Sequence, residues 1–240
     1  MPVRRIMTSR PGGRSSGPFT SFNLATHVGD DPVAVRANRE RLAKATGLPV
    51  AGALAWMDQV HGTDVAIVTS APAAPMPGTD GLVTSTPGIA LAVLVADCVP
   101  VLLADPTAGV IGVVHAGRAG AQAGIVRRAV AVMCRAGAEP ARMDVLLGPA
   151  ICGQCYEVPA AMRDEVEAAL PGSATTTGTG TAGLDLRAGV ARQLAGLGVA
   201  RTIVDPRCTA EDRQLFSFRR DGVTGRQAGV AWLDGNGTPG

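Results

Sequence analysis

The sequence predicts an α/β fold, a layered sandwich built on a mixed β-sheet. Three observations carry that expectation. Apolar residues make up 46% of the 240 positions and charged ones 18%, a balance that supports a packed core rather than disorder. Short β-branched runs alternate with amphipathic stretches of helical period. The alternation is not strictly strand–helix–strand, which favours mixed over purely parallel pairing. Aromatics are only 3% of the chain, so the core must rest on Val, Leu, Ile and Ala. The length suits one large domain spanning 1–240, with frayed ends at about 1–2 and 234–240.

Taken in order, Val3–Met7 reads as a first strand and Arg10–Ser21 as a Gly/Ser/Pro loop. Asp30-Asp31-Pro32 supplies an N-cap followed by a first-turn proline. The helix it opens runs through Val35, Arg39 and Leu42 until Gly47-Leu48-Pro49 stops it. Strands follow at Leu54–Val60, Asp64–Thr69, Gly81–Ser85, Ala90–Ala96, Val99–Ala104 and Val110–His115. Gly120–Arg135 reads as a second helix and Met143–Leu147 as a buried strand. Pro159–Leu170 and Leu184–Leu197 read as helices, with a mobile Thr/Gly-rich loop, Gly172–Gly183, between them. Arg201–Val204 and Gly229–Leu233 read as the last strands.

The net charge is +2 and neither half carries a basic block, which excludes the Lys/Arg stripe of a nucleic-acid binder. No apolar run reaches 18 residues, so no membrane span is predicted. The start, MPVRRIMTSRPGG, lacks a signal-peptide apolar stretch, and a cytoplasmic location is expected. Five cysteines at irregular spacings argue against a disulfide framework.

Chemistry concentrates around scarce residues. The chain has three histidines, His27, His61 and His115. His61 follows an apolar run and precedes Gly62; Cys98 follows the run Leu91–Val95; His115 ends Val110–Val114. All three stand at strand ends, where loops carry function. Two His and one Cys would leave a zinc ion one open position. The same residues are also an ordinary buried set, because the separations of 37 and 17 residues match no local metal motif. Cys152-Gly153-Gln154-Cys155 has the C-x-x-C spacing without a second such pair, and reads as structural or incidental. Cys134 reads as core, and Thr209, after Cys208, as the cap of a short helix. Arg118, in the glycine turn before a helix, and Arg219 are anion candidates; most exposed arginines are simply solvated.

Together the motifs resemble one family. They are Asn23-Leu24-Ala25-Thr26-His27, Gln59-Val60-His61-Gly62, Thr79-Asp80-Gly81, Ala96-Asp97-Cys98-Val99-Pro100, Val114-His115-Ala116-Gly117, Cys155-Tyr156-Glu157-Val158 and Phe216-Ser217-Phe218-Arg219-Arg220-Asp221. In this order, from about residue 18 to 233, they resemble the laccase-domain family of polyphenol oxidases, peptidoglycan editing factors and purine nucleoside phosphorylases. The resemblance implies an α/β/α sandwich, one zinc held by His61, Cys98 and His115, and phosphorolysis of purine nucleosides. It also implies adenosine deamination and methylthioadenosine cleavage as associated activities, in a monomer or homodimer. Asp97, beside a ligand, is expected either to give acid/base help or to orient a ligand by a hydrogen bond. Asn23, His27, Arg118 and Arg219 are expected at substrate or phosphate, or in structural roles. The family reads His-Ala-Gly-Trp-Arg-Gly after its last ligand strand, whereas this chain has His115-Ala116-Gly117-Arg118-Ala119-Gly120, so Arg118 and Arg219 compete for the phosphate. Two other functions use the same residues: a Cys98–His115 hydrolase acting on amides of peptidoglycan precursors, and a copper-dependent polyphenol oxidase. Three histidines are too few for a multicopper cluster, although copper could enter the zinc ligands.

Overall fold

The structure is a computed structural model that describes residues 2–48 and 53–235. Its strands are β1 (Val3–Met7), β2 (Leu54–Ala55), β3 (Val65–Ile67), β4 (Gly81–Thr84), β5 (Ala90–Val95), β6 (Val99–Asp105), β7 (Val110–Ala116), β8 (Asp144–Leu147), β9 (Ala174–Thr176), β10 (Ala182–Leu184), β11 (Arg201–Val204) and β12 (Gln227–Leu233). Its helices are α1 (Pro32–Thr46), α2 (Arg118–Ala123), α3 (Ile125–Arg135), α4 (Ala160–Ala169), α5 (Leu186–Gly196) and α6 (Phe218–Asp221).

Two mixed sheets form the centre. One has the order β1-β12-β5-β2 and the other β11-β8-β6-β7-β4-β3. Each combines antiparallel neighbours with parallel ones: β2 runs parallel to β5, β3 to β4 and β11 to β8. The predicted mixed sheet is thus present, but it is two sheets packed face to face. The cause is visible in β5 and β6, where both faces of each strand are apolar. Leu91, Val93 and Val95 pack with Leu102, Ile111 and Val113 between the sheets. Ala92 and Leu94 turn the other way, toward Leu42 and Ala43 of α1. Val101 and Leu103 face Ile125, Met133 and Val190 of the helices on the far side. The period-2 alternation of a strand therefore yields three apolar layers, bounded by α1 on one side and by α3 to α5 on the other.

Several expectations change. The helix from 120 to 135 is two helices, because Gly124 takes φ +91°, a left-handed turn that ends α2 and starts α3. Cys134 is exposed on α3 rather than in the core, being off the stripe formed by Ile125, Ala129, Val132 and Met133. The predicted strand at 54–60 shrinks to two residues plus a bridge from Met57 to Met76. In place of the predicted loop 172–183, residues 174–184 form the β9–β10 hairpin, whose turn is tied by Thr177, Thr179 and Thr181 hydroxyls at 2.7–3.4 Å. Thr209 caps no helix; its hydroxyl goes elsewhere, as described below. The start of α1 follows the sequence: Asp31 accepts from Val33 N at 2.9 Å, and Gly47 closes the helix at φ +68°. Pro49 and the tail 236–240 lie outside the described residues, as does Met1. At the predicted frayed ends, Asp234 N donates to Pro2 O at 3.0 Å and its carboxylate meets Arg4 at 3.1 Å. No helix among the described residues is long and apolar enough to cross a membrane.

Candidate metal centre and adjoining cavity

His115 is the sixth residue of β7, in phase with Ile111 and Val113 and nearly buried. Cys98 stands in the three-residue turn joining β5 to β6. His61 sits in the loop after β2, which Gln59 clips to β5 through paired bonds of 2.8 and 2.9 Å with the Leu94 backbone. Sheet pairing therefore brings three distant residues together. Their ligand atoms all lie within 4.8 Å of one another. Cys98 Sγ is 3.8 Å from His61 Nε2, and the two imidazole centroids are 4.6 Å apart.

These donors fit a tetrahedral metal. With zinc–sulfur and zinc–nitrogen bonds of about 2.3 and 2.1 Å, the sulfur–nitrogen edge is about 3.6 Å. Backbone comes close enough to wall the site because residue 117 is glycine. A Cβ there would stand 2.6 Å from His61 Cδ2 and 3.1 Å from Cys98 Sγ.

Asp80 organises the centre, and its role is absent from the sequence-level site. Its carboxylate is fully buried and accepts from three successive backbone N–H groups, of Val60 at 3.2 Å, His61 at 3.0 Å and Gly62 at 2.7 Å. It also meets His115 Nδ1 at 2.7 Å. Nδ1–H therefore points to Asp80 and Nε2 is left for the metal, the arrangement that orients ligand imidazoles elsewhere. The Thr79-Asp80-Gly81 motif was the available signal. His61 has φ +61°, and Asp97 has φ +97°; they are the only non-glycine residues with positive φ among those described. Each such conformation costs on the order of 1–3 kcal/mol; His61 is itself a candidate ligand and Asp97 adjoins Cys98. At His61 the three N–H bonds to Asp80 hold it in place.

The Asp97 carboxylate bonds Thr209 and Arg219 rather than a ligand imidazole. Its Oδ1 accepts from Thr209 Oγ1 at 2.5 Å and its Oδ2 from Arg219 N at 2.6 Å. Both oxygens thus tie the Cys98 turn to the 209–219 segment. Asn23 is also away from the cavity. It is fully buried, bonding Ala25 N and O, Arg226 N and Asp30 within the protein.

Burial, the largest influence on Cys98, pushes its thiol up, but hydrogen bonds from His115 and His61 and their charges outweigh it and bring it to about 6. Burial pulls His115 down, and the bonds to Asp80 and Cys98 raise it to about 9. In the metal-free protein the pair is therefore a thiolate beside an imidazolium across neutral pH.

A cavity of about 450 Å³ opens above these ligands, bordered by His27, Arg118, Arg219, Arg226, Tyr156 and Phe218. All three histidines of the chain line it. Arg219 lies over the Tyr156 ring at 5.0 Å and donates to Glu157 O at 3.0 Å. Arg226 lies over the Phe218 ring at 5.9 Å. Arg118, the first residue of α2, has a 3.3 Å bond to Gln122 Oε1. Tyr156, Phe218 and Arg226 were not singled out from sequence; Tyr156 and Phe218 did lie inside quoted motifs. Burial and the Arg226 charge lower the pKa of His27, which favours a neutral ring at the cavity rim.

The sequence pattern of the family described as multi-copper polyphenol oxidoreductase laccase matches residues 4–234. The chain belongs to this laccase-domain family. Its relatives carry a different description. A protein of Mycobacterium tuberculosis named purine nucleoside phosphorylase is 59% identical over 232 residues, covering 97% of this chain and 92% of the relative. One of the same name from Corynebacterium glutamicum is 55% identical over 234 residues, covering 97% and 95%. The crystal structure of YlmD from Geobacillus stearothermophilus superposes with a TM-score of 0.90 at 36% identity, covering 97% of this chain and 92% of that one.

Proposed function

We propose that the chain is a zinc-dependent purine nucleoside phosphorylase. It transfers ribose from a nucleoside to phosphate: the bond from C1′ to the base breaks, a C1′–phosphate oxygen bond forms, and the base leaves with a proton. One observation carries this reading. The His61–Cys98–His115 cluster, three arginines and two aromatic rings face one cavity, whose volume lies in the range of small-ligand sites. The relatives named purine nucleoside phosphorylase support it.

Zinc bound to these three ligands would supply a Lewis acid with one open position. The remaining work falls to the chain itself. Tyr156 and Phe218 offer flat faces to a purine. Guanidinium groups suit phosphate because their planar fork donates two parallel bonds. Asp80 keeps His115 in one tautomer, and Asp97 holds the Arg219 backbone against the Cys98 turn. Adenosine deamination at the same cavity belongs to this proposal, as does methylthioadenosine as a substrate. Copper oxidase chemistry fits poorly, since the whole chain has three histidines and a multicopper centre needs more imidazoles.

Base release from adenosine or inosine is expected to require phosphate and to yield ribose 1-phosphate; free ribose appearing equally fast without phosphate would refute the phosphorylase reading. Arg118 has the less committed guanidinium, so Arg118→Ala should raise the phosphate KM about tenfold to a hundredfold, the worth of a charge-assisted bond. An unchanged KM there, with a raised one in Arg219→Ala, would move the phosphate to Arg219.

A Cys98–His115–Asp80 hydrolase is the second reading, favoured by the thiolate–imidazolium pair. Chelation separates the two, because that hydrolase would survive metal removal. The pair also sets the pH dependence of metal uptake. The His115 pKa is raised, so its proton must leave Nε2 when metal binds; Cys98 is already a thiolate above about 6. Zinc affinity of the metal-free protein should therefore climb about tenfold per pH unit from pH 6.5 to 8.5 and level above about 9. Below about 6 the slope should steepen as Cys98 protonates. A flat profile from competition with a chromogenic chelator would contradict this.

A further inference from the structure

We propose a second, structural metal site formed by Cys152, Cys155, Cys208 and Glu211, taking zinc or another thiophilic divalent ion. Sulfur and carboxylate donors from these four residues all lie within 4.8 Å of one another. Cys155 Sγ is 3.5 Å from Glu211 Oε1. A tetrahedral site with zinc–sulfur bonds of about 2.3 Å has sulfur–sulfur edges of about 3.8 Å, so rotamer adjustments of about 1 Å close it.

Local backbone sets up each half. Cys155 N and Tyr156 N both donate to Cys152 O at 3.0 Å, a turn that brings the two thiols together. Gly153 lets that turn press onto β9, since a Cβ would stand 2.7 Å from Thr175 Cγ2. In the other half, Glu211 N and Asp212 N donate to Cys208 O at 3.2 and 2.8 Å, which places Cys208 and Glu211 side by side. A parallel bridge from Ala150 to Cys208 joins the halves, and Cys152 N donates to Cys208 Sγ at 3.3 Å. A backbone N–H aimed at sulfur suits a thiolate ligand better than a thiol.

The chemistry favours a cation. Three sulfurs and a carboxylate gathered within 4.8 Å form a donor set whose charge a divalent ion offsets. Soft thiolates select zinc-like ions, and four protein donors leave no open position, the mark of a structural rather than catalytic site. Each thiol releases its proton to solvent on binding. A disulfide would use two sulfurs and leave the third and Glu211 unexplained.

The site also has a location that gives it a purpose. Tyr156 of the cavity wall follows Cys155 directly. Thr209, bonded to Asp97, follows Cys208. Metal here would staple together the two segments that shape the cavity, through residues other than the His61–Cys98–His115 set.

Zinc per chain, measured by mass spectrometry of purified protein kept reduced, tests this. The Cys152→Ser/Cys155→Ser variant should hold about one zinc fewer than the wild type. Equal zinc in both would overturn the proposal. A second measurement leaves the cluster untouched: cobalt-loaded Cys98→Ala should show an intense thiolate-to-cobalt charge-transfer band with tetrahedral splitting. Its absence would overturn the site even if the serine variant fails to fold. A native mass two hydrogens light, locating a disulfide among these cysteines, would also overturn it.

Discussion

Cys98→Ala is expected to lose the zinc proposed at the His61–Cys98–His115 centre and to lower the proposed phosphorolysis on the order of a thousandfold. Cys98 is the only sulfur donor in the centre, and its removal leaves two imidazoles that bind zinc weakly without a third partner. A metal Lewis acid contributes several kcal/mol, and each 1.36 kcal/mol is about a factor of ten in rate. His61→Ala should behave alike, because its Nε2 faces the same sulfur at 3.8 Å. Neither substitution opens a core cavity, since His61 is exposed and Cys98 half-buried. Loss of thermal stability should therefore match the loss of metal binding, and added zinc should not restore it. Both variants retaining the metal at this centre, with turnover intact, would remove the proposed site.

Asp80→Asn is expected to be nearly as damaging without replacing a proposed ligand. The carboxylate accepts from four N–H groups, those of Val60, His61, Gly62 and His115. An asparagine has one acceptor oxygen, and its NH₂ would confront donors in a site with no water access. Leaving buried donors unmatched costs about 1–3 kcal/mol each. Loss of a bond that orients a metal-bound histidine costs roughly 10–100-fold in affinity or activity. The expected signature is a lower melting temperature together with weaker zinc binding, and a larger fall in kcat than rise in nucleoside KM.

The pH dependence adds a check with a definite sign. Burial raises the Asp80 pKa, but the bonds from His115 and the Gly62 and Val60 N–H groups outweigh it and hold it below 3.8. A depressed carboxylate contributes stability above its unfolded pKa and loses it as pH falls through the folded one. The gap between wild type and Asp80→Asn should thus be full at neutral pH and narrow below about 3.8. Equal melting temperatures at pH 7, with equal zinc affinity, would show that the four bonds carry no such weight.

The contrast between Asp80 and Asp97 shows where local reasoning stops. Asp97 adjoins a ligand in sequence, so adjacency suggested a role at the metal. Its oxygens instead bind Thr209 and Arg219, 112 and 122 residues away. Asp80 lies 35 residues from His115 and 19 from His61, yet parallel and antiparallel pairing of β4 with β3 and β7 delivers it to both. Proximity along the chain did not predict proximity in space.

What the sequence by itself determined is the part written in short-range chemistry. Asp31, Pro32 and Gly47 set the ends of α1 through a side-chain acceptor, a fixed φ and a left-handed turn. Near-continuous apolar runs in β5, β6 and β7 set strands buried on both faces. Scarce His and Cys at strand ends, with the ordered motifs around them, pointed to the family and to His61, Cys98 and His115, whose ligand atoms the fold brings within 4.8 Å. Only the tertiary structure decided the rest. The break at Gly124 needed a backbone angle that glycine permits but does not require. The same holds for the tying of residues 174–184 into a hairpin. Asp80 as the organiser, the cavity shared by Arg118, Arg219 and Arg226, and the meeting of Cys152 and Cys155 with Cys208 and Glu211 across 56 residues arise from strand order. Strand order is set by how two sheets bury their common faces, a sum over many distant apolar contacts that no local window of sequence contains.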